Sequence, residues 1–262
     1  MDLGLRGKRA IVTGGSRGIG RQCALALARE GAHVCIAART HDALNQTLAA
    51  LKQTGSEGHA VAGDLNIPAN CEKVVQETVN HFGGVDILVN NVGAARNADI
   101  LGLSPHLIDE ALSLKTYSYL RMSQLVIPYM KENQWGRIIN IAGSAGTSPT
   151  RGNIPTGAAN ITILNITRAL SDAVAGDGIS VNTVCPGLTN TGRARIQQGA
   201  RAKREGRDVE VLLKELGGEL PAGRIAEPEE VANVVTFLAS EACSYMFGSA
   251  LYMDGGKRRS TP

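Results

Sequence analysis

The chain has 262 residues, which is enough for one large α/β domain with a sizeable buried core. Its net charge of +3 and 3% aromatic content, without a basic stripe interleaved with aromatics, argue against a nucleic-acid partner. The N-terminus lacks an apolar signal core and no apolar run could cross a bilayer, so we expect a cytoplasmic protein without a membrane partner. The five cysteines are scattered without metal-ligand spacing, which predicts reduced, mostly buried thiols and no metal site.

The first motif along the chain joins a predicted strand to a predicted helix through a run of glycines. Residues 10–12 are apolar and partly β-branched, as in a strand buried on both faces, and residues 22–30 have helical spacing. The backbone N–H groups and the dipole of a helix N-terminus favour a phosphate, and glycines let it come close. The sequence therefore predicts a phosphate-binding turn, with G-x-x-x-G-x-G spacing, formed by Gly14, Ser16, Arg17, Gly18, Ile19 and Gly20.

The residue after the second predicted strand bears on the choice of cofactor. That strand covers residues 33–38 and is followed by Arg39. In dinucleotide-binding folds an acidic residue in this region binds the adenosine ribose, whereas an arginine accommodates a 2′-phosphate. Since no Asp or Glu ends the strand, Arg39 and Arg17 favour NADP over NAD. The alternative is that both are solvated surface arginines.

Strands and helices alternate along the rest of the chain. This pattern predicts an α/β fold with a single Rossmann-like, doubly wound parallel sheet, helices on both faces, and one dinucleotide-binding domain over residues 1–262. The segment 192–226 is polar and is expected to be irregular, with a helical piece near 208–216. The other predicted helices are 42–52, 68–82, 109–131, 156–175 and 228–240, and the other strands are 58–63, 85–89, 136–142, 179–184 and 250–253.

Because ligands in such folds bind beyond the carboxyl ends of the strands, the turns after the strands are the candidate site. These turns carry T-G-x-x-x-G-I-G at residues 13–20, N-N-V-G at 90–93, P-G at 186–187 and D-G-G at 254–256. With these motifs in this order, the chain resembles the short-chain dehydrogenase/reductase family over essentially its whole length. The resemblance implies further cofactor contacts: the adenine ring near Asp64, and the nicotinamide carboxamide near Pro186, Gly187 and Thr191. Leu65, Asn91, Gly93 and Thr189 are also predicted to bind the cofactor.

The same alignment shows where the chain departs from the family. The family's active site is a tetrad of Asn, Ser, Tyr and Lys, with the last two spaced Y-x-x-x-K, and no Y-x-x-x-K occurs in this sequence. Thr156 falls at the Tyr position and Asn160 at the Lys position. Gly143 falls at the Ser position, with Ser144 beside it, and Lys115 at the Asn position. The sequence therefore predicts a degenerate tetrad, with Lys115, Ser144, Thr156 and Asn160 as candidate catalytic residues.

These replacements have a chemical consequence. A tyrosine phenol titrates near ~10 and can be tuned downward by a cation, whereas a threonine hydroxyl is a far weaker acid. Loss of general acid–base help typically costs about 10²–10⁴ in rate. Tyr117 and Arg121 form Y-x-x-x-R on the earlier predicted helix, where a packing or interface role is expected instead.

Lys115 and Asn160 suggest a reciprocal exchange that keeps one ammonium in the site. On this hypothesis Lys115 reaches into the pocket and binds the ribose or polarises a substrate carbonyl, while Ser144 or Thr156 orients the substrate. A lysine in a desolvated pocket could also form a Schiff base, which would open non-redox chemistry. The alternative is that Lys115 points to solvent or pairs with a carboxylate.

The segment 192–226 corresponds to the part of the family fold that covers the substrate, and we expect it to act as a lid. Its first half is rich in basic residues and carries few acids, so it could meet a carboxylate, a phosphate or a coenzyme A thioester. The alternative is a solvated helical face. The basic residues are Arg193, Arg195, Arg201, Lys203, Arg204 and Arg207.

The sequence thus predicts an NADP(H)-dependent oxidoreductase that acts on a small-molecule carbonyl or alcohol substrate through an altered active site. A redox-inactive family member that senses cofactor or binds a partner is the first alternative, and non-redox chemistry at Lys115 is the second. The family resemblance also implies a homo-tetramer or homo-dimer formed through the predicted helices 109–131 and 156–175.

Overall fold

The computed structural model, which describes residues 2–93, 96 and 100–259, contains one seven-stranded sheet. Its strands are β1 Arg9–Thr13, β2 His33–Ala38, β3 Gly58–Ala62, β4 Ile87–Asn90, β5 Gly136–Ile141, β6 Ile179–Pro186 and β7 Ala250–Met253. The spatial order is β3-β2-β1-β4-β5-β6-β7, and each neighbouring pair is parallel. This arrangement confirms the predicted doubly wound parallel sheet.

Helices cover both faces of the sheet. They are α1 Gly18–Arg29, α2 His41–Lys52, α3 Pro68–Phe82, α4 Pro105–Ala111, α5 Ser118–Glu132, α6 Ile154–Val174, α7 Gly192–Arg204, α8 Val209–Gly218 and α9 Pro228–Leu238. Successive strand residues point to opposite faces. Val12 therefore packs in a core with buried side chains of α1 and α9, whereas Ile11 packs in a second core with α3 and α5.

The strand order reverses beside β1, which lies between β2 and β4. The chain runs outward from β1 to β3, returns through α3, and enters β4 on the other side of β1. Loops that leave the carboxyl ends of β1 and β4 therefore diverge and open a crevice, which is the usual ligand position in doubly wound sheets.

The predicted helix 109–131 has an interruption that periodicity does not indicate. Its chain forms α4, then a π-helical segment at Leu112–Tyr117, and then α5. A π-helical turn accommodates an extra residue within a helix and is often found at functional sites. In this protein the segment carries Lys115.

The prediction for residues 192–226 was wrong in its first half. Residues 192–204 form a regular helix, α7, where irregular structure was expected, while the predicted piece near 208–216 is confirmed as α8. The Thr191 hydroxyl caps α7 by accepting a hydrogen bond from the Ala194 backbone N–H at 3.3 Å. The Asp208 carboxylate caps α8 by accepting one from the Glu210 N–H at 2.8 Å. These polar caps, rather than an apolar stripe, mark where the helices begin.

The cysteines were predicted from their spacing to be reduced and mostly buried. All five cysteines are free and buried, as predicted. Burial raises the pKa of Cys23 and of Cys35 to about 12, so these two thiols remain protonated at neutral pH.

Across the described ranges, no helix combines the length and the apolar character that a membrane crossing requires.

Candidate active site

The glycine turn connects β1 to α1 in a tightly restrained conformation. Gly14 has a positive φ of 64°, and a side chain at Gly20 would collide with the carbonyl oxygen of Gly14. Gly14 donates a backbone hydrogen bond to the Ala37 carbonyl of β2 at 2.7 Å. The N-cap residue Arg17 makes no side-chain hydrogen bond to α1, so the first backbone N–H groups of this helix can bind a phosphate.

Asn91 holds this turn from the neighbouring strand end. Its side-chain amide donates hydrogen bonds to the carbonyl oxygens of Thr13 at 3.1 Å and Gly14 at 3.3 Å. Its backbone N–H donates to the Thr13 hydroxyl at 2.9 Å. Asn91 is predicted to contact the cofactor, and its side-chain amide is already hydrogen-bonded to the glycine turn.

The residues predicted for the adenosine end of a cofactor follow β1, β2 and β3. Arg17 and Arg39 are exposed, and neither makes an ion pair with a residue in the described part of the chain. Asp64 follows β3 and accepts a hydrogen bond from the Asn66 N–H at 3.0 Å, while Leu65 is buried. Two uncompensated guanidinium groups beside a phosphate-binding turn suit a cofactor that carries an additional phosphate.

Lys115 projects from the π-helical segment toward the carboxyl ends of β4 and β5. Its ammonium donates hydrogen bonds to the Ala142 carbonyl at 2.5 Å and to Oδ1 of Asn160 on α6. Its aliphatic stem passes over Gly93, where an added Cβ would lie 3.0 Å from the lysine Cδ. Lys115 therefore points into the site, and neither solvent nor a carboxylate takes up its ammonium.

The surroundings of Lys115 change its protonation equilibrium. Burial lowers its pKa from the ordinary 10.5 to about 7, and the positive charge of Arg193 acts in the same direction. Cys185 opposes these effects weakly, while its own pKa is raised to about 11 by burial. Since this lowered pKa lies near neutrality, the Lys115 amine can both give up and accept a proton at physiological pH.

Two residues with hydroxyl groups line the same cavity as this amine. The Thr156 hydroxyl on α6 is buried and makes no hydrogen bond with any described residue. Ser144 begins a short 3₁₀ turn after β5, and its side chain is partly exposed. Because a buried polar group without a partner is costly, Thr156 Oγ1 is a ready donor or acceptor for a bound molecule.

The tyrosines do not supply the missing phenol. No tyrosine occurs among the described residues that line the cavity. The Tyr119 hydroxyl donates to the Ile141 carbonyl at 3.1 Å, and burial raises its pKa well above the ordinary value. Tyr117 is 48% exposed and faces Arg121, with the guanidinium 6.0 Å from the ring centre. Tyr119 is thus a packing residue of the core, whereas Tyr117 lies at the surface, where its predicted packing or interface role stays a prediction.

A cavity of about 910 Å³ lies at the carboxyl ends of the central strands. It is near the upper end of the ~300–1,000 Å³ range usual for small-molecule sites. It brings together all four candidate catalytic residues and part of the predicted cofactor set: Lys115, Ser144, Thr156, Asn160, Ile19, Gly93, Pro186, Gly187, Thr189 and Thr191.

The remaining predicted cofactor residues lie outside this cavity wall, along the glycine turn and the ends of the strands that follow it. They are Gly14, Ser16, Arg17, Gly18, Gly20, Arg39, Asp64, Leu65 and Asn91. This distribution suits an elongated ligand with one end at the turn and the other in the cavity. Within the part of the chain that the structure describes, no group of His, Cys, Asp and Glu side chains could hold a metal ion.

Sequence reasoning missed several residues of the cavity wall. Arg151 and Asn153 come from the loop between β5 and α6, and Lys257 and Arg259 from the segment after β7. The arginine-rich run at 257–259 was a signal in the sequence, since it directly follows the D-G-G turn. Arg151 carried no such signal because its position depends on how the β5–α6 loop folds.

Comparison with known proteins shows which family this chain belongs to. The family model described as enoyl-(acyl carrier protein) reductase matches residues 14–258. The 3-oxoacyl-[acyl-carrier-protein] reductase FabG of Vibrio cholerae is 33% identical, with 97% of this chain and 98% of that protein covered. The D-beta-hydroxybutyrate dehydrogenase of Cupriavidus necator is 35% identical, with coverages of 96% and 98%.

A solved structure shows the same fold. L-Sorbose reductase from Gluconobacter frateurii, crystallised with NADPH and L-sorbose, superposes with a TM-score of 0.95 at 32% identity, with both chains covered completely. The chain therefore belongs to the short-chain dehydrogenase/reductase family, a class of Rossmann-fold oxidoreductases.

Proposed function

We propose that this protein is an NADP(H)-dependent oxidoreductase that interconverts a carbonyl and an alcohol through an altered active site. The observation that carries the proposal is the cavity, which joins Ile19 of the phosphate-binding turn to the hydrogen-bonded pair Lys115 and Asn160. The relatives named above are reductases and a dehydrogenase, and L-sorbose reductase was solved with NADPH. When bound, this cofactor supplies the hydride that such chemistry needs.

The residues present fit NADP(H) better than NAD(H). The open N-terminus of α1 and the glycine turn offer backbone N–H groups to the pyrophosphate. Arg17 and Arg39 hold the 2′-phosphate, since both are exposed and free of ion pairs with described residues. At the other end, Pro186, Gly187 and Thr191 line the cavity where the nicotinamide would lie.

The proposed alteration of the active site lies at the four candidate catalytic positions. Lys115 donates a hydrogen bond from its amine to the substrate carbonyl oxygen or to the nicotinamide ribose. The Ala142 carbonyl and Asn160 Oδ1 fix the direction of that amine. Thr156 Oγ1, which has no partner among the described residues, and Ser144 orient the substrate. Since no threonine can replace a tyrosine as a proton donor, turnover slower than in relatives with a complete tetrad is expected.

Binding and turnover together test this proposal. The protein is titrated with NADPH and NADH by calorimetry, and NADPH oxidation is then followed with a panel of ketones. Lys115→Met should lower turnover at least tenfold, and Lys52→Met, at an exposed lysine of α2, controls for the loss of a lysine. Failure to bind either nucleotide would refute the oxidoreductase proposal.

A redox-inactive protein that senses cofactor or binds a partner is the second candidate. The observation in its favour is that no tyrosine lines the described cavity wall. It predicts tight NADPH binding with no oxidation of NADPH by any ketone or alcohol tested. Covalent trapping of a carbonyl compound on Lys115 by borohydride would instead indicate Schiff-base chemistry, which the lowered pKa of this amine favours.

Self-association is part of the same proposal. We expect a homo-dimer or homo-tetramer formed through the long helices α5 and α6. Tyr117, which directly precedes α5, and Ile161, on α6, are 48% and 46% exposed, which leaves apolar surface on both elements for a second copy. Light scattering of the purified protein measures the size of the assembly.

A further inference from the structure

The wall of the cavity carries an excess of positive charge that the reaction proposed above does not use. Seven basic and two acidic residues line it. Of the two carboxylates, Asp254 is buried and accepts hydrogen bonds from the backbone N–H groups of Gly256 at 3.1 Å and Arg258 at 3.0 Å. Glu219 is therefore the one lining carboxylate, among the described residues, that is exposed to solvent.

Five of these basic residues form what we call the cationic rim, and they come from three separate segments. They are Arg151, Arg193, Arg204, Lys257 and Arg259. None of the five makes an ion pair with a described residue. Arg201, which also lines the cavity, differs because it pairs with Glu205 at 2.7 Å.

Helix α7 supplies two of the rim arginines that have no ion pair with a described residue. Arg193, Arg201 and Arg204 occupy one helix face at spacings of eight and three residues, and this face lines the cavity. Arg195, on another face, pairs with Glu210 at 2.6 Å. The helix therefore neutralises an outward-facing arginine, while Arg193 and Arg204 face the cavity without a carboxylate partner.

The cationic rim is longer than a single phosphate group. Arg193 and Arg204 are eleven residues apart on α7, which corresponds to about 16 Å along the helix axis. The arginines assigned to the cofactor, Arg17 and Arg39, do not line this cavity. Arg193 is also close enough to Lys115 to lower the pKa of its amine, so two cations repel each other across the cavity. A bound anion would relieve that repulsion.

We propose that the substrate carries a negatively charged group, a phosphate or a carboxylate, which binds the cationic rim while its carbonyl lies beside Lys115 and Thr156. This inference rests on the proposed function, since it assigns the substrate class of the same site. Arg193, the rim residue close to Lys115, donates paired hydrogen bonds to the anion, and the positive charge of Arg204 farther along α7 attracts it. Because the distance between the cationic rim and the Lys115 amine is fixed, the site selects substrates whose anionic group and carbonyl are separated by a matching distance.

Matched pairs of carbonyl compounds test the proposal and distinguish the two anion types. Dihydroxyacetone phosphate is compared with dihydroxyacetone, and 4-oxopentanoate with its methyl ester. The NADPH-saturated protein should bind at least one anionic member at least tenfold more tightly than its neutral counterpart by calorimetry. The phosphate pair and the carboxylate pair respond separately, so the preferred pair identifies the anion.

Single substitutions show which arginines contribute to binding of the anionic compound. Arg193→Gln should weaken binding of the preferred anionic compound about tenfold and Arg204→Gln should weaken it less, while both should change binding of its neutral counterpart less than twofold. Arg6→Gln removes the same charge from an exposed arginine before β1, at the amino end of that strand and therefore opposite the cavity, and should change neither. Equal affinities within both pairs would overturn the proposal, as would equal losses in all three variants.

The failure of this inference can be told apart from failure of the proposed function. NADPH affinity is measured in the same samples, and the anion titrations are repeated without NADPH if the nucleotide does not bind. Loss of NADPH affinity in Arg193→Gln and Arg204→Gln would assign these arginines to the cofactor and overturn the substrate assignment. Intact NADPH binding without any anion preference would overturn only the substrate class.

Discussion

Lys115 of the π-helical segment and Asn160 in the second turn of α6 are hydrogen-bonded to each other in the wall of the cavity. The family pattern places an asparagine at the first position and a lysine at the second. The family resemblance thus predicts that the two side chains are exchanged in this chain, and the structure shows that they are in contact. An amine at this place is held by an amide oxygen and by the Ala142 carbonyl, in a setting that lowers its pKa to about 7.

Titration of Lys115 should be visible in the stability of the protein. A lysine whose pKa is lower in the folded protein than in the unfolded chain binds fewer protons when folded. Between about pH 7 and 10.5 the unfolded chain therefore binds more protons, and the free energy of unfolding rises with pH. The rise due to this group is at most about 1.4 kcal/mol per pH unit.

Urea unfolding of wild type and Lys115→Met at several pH values measures this contribution. The difference between the two free energies of unfolding should change across pH 7–10.5 in favour of the wild type as pH increases. Lys52→Met, at an exposed lysine, controls for the substitution itself. A constant difference between wild type and Lys115→Met would show that the amine is protonated throughout this range.

A double-mutant cycle tests whether Lys115 and Asn160 act as an exchanged pair. Asn160→Lys alone places two ammonium groups in contact at a position that is 2% exposed, so it should destabilise the protein by about 2 kcal/mol or more. Lys115→Asn alone removes the ammonium. Combining the two should recover about 1–3 kcal/mol relative to the sum of the single effects, because one ammonium again faces one amide. Additive effects would mean that the positions are not coupled.

Elements bounded by backbone signals could be predicted closely from the sequence. Helix α3 begins at Pro68, which suits a first helical position, and ends before Gly83, whose φ of 82° is left-handed. The prediction for this helix matches its observed bounds. Strand β2 was equally clear because its residues, buried on both sides of the sheet, form an apolar run between polar neighbours.

Features that depend on tertiary contacts could not be predicted in this way. The π-helical segment adds one residue to a turn, and apolar periodicity does not reveal such an insertion. Helix α7 was not predicted because its many arginines and glutamines leave no clear apolar stripe in the sequence. The exchange between Lys115 and Asn160 stays a prediction from the family resemblance. The contact between the two residues, and the Thr156 hydroxyl without a partner among the described residues, required the structure.

The close packing inside the phosphate-binding turn makes Gly20 sensitive to substitution. In Gly20→Ala the new Cβ would collide with the backbone carbonyl of Gly14, which cannot move without disturbing the bonds from Asn91. We expect a loss of about 1–3 kcal/mol in stability and at least a tenfold loss in NADPH affinity. Gly218→Ala, on α8 with no atom within 4 Å of the new Cβ, is the matched control. It should leave stability unchanged or raise it by up to about 1 kcal/mol.

Arg39 should determine which nicotinamide nucleotide the protein prefers. Arg39→Gln removes an exposed guanidinium that has no ion-pair partner within the described residues, so the folded protein loses little stability. Loss of its charge-assisted hydrogen bonds to the 2′-phosphate should raise the Kd for NADPH about tenfold, whereas the Kd for NADH, which lacks this phosphate, should change less than twofold.

Arg39→Asp is a second test of nucleotide preference at this position. A carboxylate at the end of β2 can accept hydrogen bonds from the ribose hydroxyls of NADH, and it repels the 2′-phosphate of NADPH. This variant should therefore bind NADH more tightly than NADPH, reversing the preference of the wild type. Arg29→Gln, at the exposed last residue of α1, controls for the loss of one positive charge. If Arg39→Gln weakened NADPH and NADH equally, Arg39 would act on the shared part of the cofactor, and the discrimination would rest on Arg17.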